Sequence, residues 1–249
     1  MAASKTIDRF VRAFSCKSHF TKDDLYRYYL KTEPALRDAT LRRRINILKN
    51  RGLISEISRG TYSFQNKQVW IPSVNNSVRT VYRKLGKNYN DLLYDVWSTA
   101  WLGEFTNLQA FRYHIIIEVE KDYVSSVFDF LKESGLKNLY LQPGKKEVDN
   151  YLASAGESYV VETLITKSPV QLVGDVRVPR LEKILVDLYC RKDLFSAFQG
   201  HELSNIFEKA FSYYSINISL FINYARRRGR ESELFDYLRS NTTIKIPTL

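Results

Sequence analysis

The sequence is poor in the residues from which metal centres, disulfide frameworks and catalytic relays are built. Only two of its 249 residues are cysteine, Cys16 and Cys190, far apart and outside any CxxC or Cys/His pattern. Neither a disulfide framework nor a zinc site is expected, and a reducing cytoplasm is the expected compartment. The three histidines, His19, His114 and His201, have no second ligand or nucleophile at a useful spacing, and His114, in an apolar strand, reads as a satisfied core or edge histidine. No Gly-rich phosphate loop of Walker type occurs. Long apolar runs are missing as well, which removes a helical membrane span. Lys5, Asp8, Arg9 and Arg12 interrupt the start, where a signal peptide would need an apolar stretch. These absences predict no enzyme, no metal and no cofactor.

Bulk for packing is present. Hydrophobic residues make up 44% of the chain and aromatics 14%, too much for a disordered polypeptide and enough for a small core and a large one. Charge divides the same way: residues 1–85 hold 18 Lys and Arg against 6 Asp and Glu, whereas residues 86–249 hold 20 against 21. The net charge of +11 therefore belongs to one end. A basic domain over 1–69 and a neutral one over 70–249 are expected.

In the basic part, Ile7, Phe10, Val11 and Phe14 fall at helical spacing from Ser4 onward. Thr21 stands ready to cap a second helix with Asp23 and Asp24 in its first turn, carrying Leu25, Tyr28, Tyr29 and Leu30 inward and stopping by Pro34. A third helix opens at Asp38 or Thr40, buries Leu41, Ile45 and Leu48, and ends at Gly52. At 100° per residue its opposite face carries Arg43, Asn46 and Asn50, with Arg42 and Lys49 on one shoulder and Arg44 and Arg51 nearer the other. Short strands Leu53–Ile57 and Thr61–Phe64 follow, joined through Ser58, Arg59 and Gly60. That order predicts a winged helix-turn-helix whose third helix enters the major groove of double-stranded DNA. Arg42, Arg43, Asn46, Lys49 and Asn50 are expected toward the groove, Arg44 and Arg59 toward phosphates.

The segment from Gln65 to Lys87 reads as a connection with one helix near Val78–Leu85. Beyond it come strands at Asp91–Trp97, Phe111–Val119, Leu139–Leu141 and Ser158–Ile165, a short helix capped by Ser98 or Thr99, and a helix over Tyr123–Glu133 ended by Gly135. From Leu181 to about Leu238 the periods of Ile184, Leu185, Leu188, Leu203, Ile206, Phe207, Leu220, Phe221 and Tyr224 are helical. The fold class is thus α+β: an N-terminal winged helix-turn-helix, then a larger mixed domain ending in a helical bundle.

Glu118 and Glu120 share a strand face, as paired acids do in metal-dependent nucleotidyl transfer, but without a phosphate loop they read as the exposed end of a strand. Arg226, Arg227, Arg228 and Arg230 offer a contact for an acidic partner protein, against the ordinary reading of cations and a glycine at a helix C-terminus. Asn241–Leu249 reads as a disordered tail.

Several stretches resemble a family. Trp97, Ser98 and Thr99 with Trp101, Leu102, Gly103, Glu104 and Phe105, then Ile117 to Asp122, Val178 to Asp187, and Tyr224 to Gly229, are similar to the Bacteroidetes branch of the AbiEi-type antitoxins of type IV toxin-antitoxin systems. The resemblance covers nearly the whole chain and rests on packing signatures. It implies a winged helix that binds operator DNA and represses its own operon, and a C-terminal domain that antagonises a nucleotidyltransferase-like toxin, with or without a stable complex. The residues alone leave two alternatives open: a nucleotidyltransferase-like enzyme using Glu118 and Glu120, and a winged-helix protein adaptor.

Overall fold

A computed structural model of the chain describes residues 10, 13–14, 19–50, 53–64, 67–89, 91–107, 113–152, 156–244 and 246. Most of the first expected helix, Arg51 and Gly52 lie outside them. The fold is mixed, with helices and three separate sheets among the described residues.

Strand β1 (Phe20–Thr21) leads directly into helix α1 (Lys22–Leu30), because Thr21 closes a capping box. Its hydroxyl accepts from the Asp24 N–H at 3.2 Å and its own N–H donates to the Asp24 carboxylate at 2.8 Å, an arrangement that stabilises a helix start by about 1 kcal/mol. Helix α2 (Asp38–Asn50) buries Leu41, Ile45 and Leu48, a row spaced to share one face. Strands β2 (Ile54–Ser58) and β3 (Thr61–Phe64) form a hairpin through Arg59 and Gly60, and Gly60 supplies the positive φ of 75° that the tight turn needs. β1, unforeseen as a strand, pairs antiparallel with β3, giving the order β1-β3-β2. Phe10, Phe14, Phe20, Leu25, Tyr29, Leu41 and Ile54 close a small core of their own.

The larger core begins at Trp70. This stretch is docked on the body rather than running free: the Trp70 indole N–H donates to Glu104, the Trp101 indole N–H donates to the Ser73 carbonyl at 2.9 Å, and the Ser215 N–H donates to the Gln68 carbonyl at 2.9 Å. Helix α3 (Asn76–Asn88), capped by Asn75, follows. Arg79 and Arg83 on α3 both bind Asp175, so part of the N-terminal cationic surplus belongs to the body. Residues 1–64 keep 14 Lys and Arg against 6 Asp and Glu.

The central sheet has the order β4-β5-β7-β6 over β4 (Tyr94–Ser98), β5 (Tyr113–Val119), β6 (Leu139–Leu141) and β7 (Glu157–Thr163). β4 runs antiparallel to β5, while β5, β7 and β6 are parallel. Helix α4 (Val124–Glu133) provides the crossover to β6. Ile115, Ile116 and Ile117 are all buried, as in a strand covered on both faces. A second hairpin, β8 (Val170–Val173) and β9 (Val176–Pro179), lies against β4 and was not anticipated. Helix α5 (Leu181–Cys190) is then enclosed by α6 (His201–Tyr213), α7 (Ile218–Arg227) and α8 (Glu231–Asn241). The expected tail is packed over its described part: Thr243 bonds to Glu208, and Ile244 and Ile246 rest on the core.

Candidate functional site

The outer face of α2 is open. Arg42, Arg43, Asn46 and Asn50 are exposed, as is Arg59 at the β2–β3 turn. Arg43 and Arg59 have no ion-pair partner among the described residues, and Arg42 has only an exposed pair with Asp38 at 2.8 Å, which competes weakly with phosphate.

Two of the expected contacts point elsewhere. The Arg44 guanidinium donates to both Glu33 oxygens at 2.8 Å and lies 4.7 Å from the Tyr29 ring centroid. It ties α2 to the chain that follows α1, so a phosphate would have to displace both Glu33 bonds and the ring contact. The Lys49 ammonium is half-buried against Glu56 of β2. Sequence spacing did not disclose these pairs because the partners come from other elements. Arg44→Ala is expected to lower the stability of the basic part by about 1 kcal/mol, the sum of a partly exposed pair and a cation–π contact. Arg43→Ala should leave a urea melt unchanged; equal effects of the two would contradict this assignment. The face also holds an apolar residue that was overlooked, Ile47, 43% exposed.

The second polar assembly is interior. Register places Asp95, Glu118 and Glu162 side by side on β4, β5 and β7, with their side chains toward α5. Lys183, fully buried on α5, donates to Glu118 and, at 2.9 Å, to Asp187 one turn along. The Trp97 indole N–H donates to Glu118 at 3.1 Å, the Tyr224 hydroxyl to Asp187 at 2.9 Å, and Arg228 approaches Asp187 at 3.4 Å. Arg191 holds Glu162 with two nitrogens. Glu118 is therefore not an exposed strand end. Glu120, past the end of β5, is half-exposed and accepts from the Leu93 N–H at 3.2 Å. The two glutamates have separate partners, and the Lys183 ammonium already supplies Glu118 with a cation. Among the described residues no group of three or more His, Cys, Asp and Glu converges as metal ligands.

Neither oxygen of buried Asp95 has a hydrogen-bond partner. Burial raises its carboxyl above the usual range against the pull of Lys183, and burial likewise raises Glu118 well above that range. The carboxylates hold Lys183 charged, outweighing its own desolvation. A proton thus stays on the Asp95–Glu118 pair to higher pH in the folded chain than in the unfolded one. Unfolding releases it, so stability is greatest below the ordinary carboxylate value near pH ~4 and falls as pH rises toward the elevated folded value. The expected slope is about −1.4 kcal/mol per pH unit for each such proton. Urea midpoints between pH 5 and 8 should decline, and Asp95→Asn should flatten the decline; a pH-independent parent protein would refute the upward shift of these buried carboxyls.

The arginine cluster does not form one open cationic patch. Arg228 turns inward, Arg226 pairs with Glu231 and Arg230 with Glu233, and Arg227 reaches the Thr166 hydroxyl at 3.5 Å. Gly229, at φ 66°, terminates α7, the helix-end role that competed with partner binding. His114 is half-buried, bonded to the Ser158 hydroxyl at 2.6 Å, and burial lowers its pKa.

No curated protein matches the sequence. The family model that does match covers residues 40–244, from early in α2 to beyond the end of α8. The chain belongs to that family, a family of unknown function designated DUF6577.

Proposed function

We propose that the chain is a DNA-binding antitoxin of the type IV kind, a regulator whose basic head is a winged helix-turn-helix and whose body counters a nucleotidyltransferase-like toxin. The observation that carries the DNA reading is the unobstructed outer face of α2, with Arg42, Arg43, Asn46 and Asn50 exposed beside a hairpin tipped by exposed Arg59. In the proposed complex α2 lies in the major groove and the hairpin touches the backbone. The antitoxin reading draws on the sequence resemblance, with the Ile117–Asp122, Val178–Asp187 and Tyr224–Gly229 segments all in the body. Arg44 and Lys49 are left out of the proposed contacts because Glu33 and Glu56 already hold them.

The test has two arms. Fluorescence anisotropy with duplex from upstream of the gene is expected to give saturable binding by the full chain, weakened by Arg43→Ala. An unchanged affinity at moderate salt would reject the surface. Co-expression with a nucleotidyltransferase-like toxin of the type IV class is expected to restore growth; failure to do so would reject the antitoxin role while leaving the DNA reading standing.

A further inference from the structure

We infer that α2 reads A·T base pairs, and that Ile47 does so by packing on a thymine methyl group. This rests on the DNA-binding reading above and adds the sequence class of the site.

Projected at 100° per residue about Arg43, Ala39 falls at −40°, Asn46 at −60°, Ile47 at +40° and Asn50 at −20°. All five are exposed, so they form one stripe about 100° wide. From Ala39 to Asn50 it runs about 16 Å at 1.5 Å per residue, the rise of about five base pairs at 3.4 Å each. Only Arg43 on the stripe is charged. Four of the five side chains suit adenine or thymine: the amides of Asn46 and Asn50 match the N6/N7 edge of adenine, and Ala39 and Ile47 match the thymine methyl. Arg43 suits guanine or a phosphate.

Ile47 is the informative member. Isoleucine is among the residues most often buried, and the inner face of this same helix has taken Leu41, Ile45 and Leu48 into the core. At 43% exposed, Ile47 projects instead between polar neighbours on the outer face of α2, in a head that carries a cationic surplus. Arg27, Lys31, Arg37 and Arg59 are exposed and make no ion pair among the described residues. A duplex provides the polyanion those cations favour and, in the major groove, an apolar spot at each thymine.

The experiment selects duplexes with a randomised core on the full chain at moderate salt, then replaces each selected thymine by uracil, which differs only in lacking the methyl. The expected consensus is a tract of about five base pairs dominated by A·T. One uracil replacement should weaken binding about 3- to 10-fold, the magnitude of one lost buried methyl or slightly more, and the same replacement should have no effect on Ile47→Ala. A G·C-dominated consensus, or an equal uracil penalty in both proteins at every thymine, would overturn the inference. Retention of duplex with no sequence preference would also overturn it while leaving DNA binding intact, and retention of no duplex at all would remove the DNA reading itself. Since the uracil arm leaves the protein untouched, it cannot be confused with misfolding.

Discussion

Replacing Lys183 by methionine is expected to destabilise the body by about 3–5 kcal/mol, the cost of removing one partner from a buried charged group. Lys183 has no solvent exposure and bonds to Glu118 and Asp187. Methionine fills much the same volume, so the loss is electrostatic: two carboxylates remain inside with no ammonium between them. Arg228 reaches Asp187 from the end of α7, and the Trp97 indole N–H still donates to Glu118. Glu118 would then take up a proton, and the penalty should shrink as pH falls. Combining Lys183→Met with Glu118→Gln should recover part of the loss, because the amide needs no countercharge. Urea unfolding at pH 7 checks this. A single variant as stable as the parent would mean that water reaches the assembly.

The second large effect concerns salt. If Arg27, Lys31, Arg37, Arg42 and Arg59, all exposed, supply the phosphate contacts, affinity for duplex should fall with a logarithmic slope of about −0.9 for each contact made. Four or five contacts give about a 100- to 1000-fold loss between 50 and 200 mM salt. Removing Arg59 or Arg37 should reduce the slope by about one and weaken all sequences alike. Removing Arg44 should leave the slope unchanged, since Glu33 neutralises it. A shallow slope in the parent would show that these exposed cations do not carry the phosphate contacts.

The parts of the structure legible from sequence are those whose cause is local. The Thr21 cap, the Leu41–Ile45–Leu48 row and the β2–β3 hairpin each follow from neighbours within a few positions, where helical and strand periods act directly. The outward placement of Arg43, Asn46 and Asn50 came from the same arithmetic, and it would have given Ile47 had the angle been followed for apolar residues too. What was missed depends on distant partners. Glu33 and Glu56 withdraw Arg44 and Lys49 from the surface. Glu118 reads as a solvated strand end until α5, 65 positions later, brings Lys183 onto it. One local hint existed: Lys183 and Asp187 stand one turn apart in an otherwise apolar helix, where unpaired charges would be costly. The β8–β9 hairpin was overlooked although Gly174 and Asp175 form its turn, a pairing of residues that favours tight reversals.

The two cores also differ in when they can form on a ribosome. Every residue of the smaller one lies between Phe10 and Tyr62, so its contacts become available once that early stretch has emerged. The interior ion assembly of the body joins Glu118 to Lys183, Asp187, Tyr224 and Arg228, and cannot be completed until Arg228 has left the exit tunnel. Synthesis therefore delivers the cationic head first and leaves the body's buried charges unmatched until α7 arrives, so a chain interrupted before Tyr224 would carry a finished head on an unfinished body.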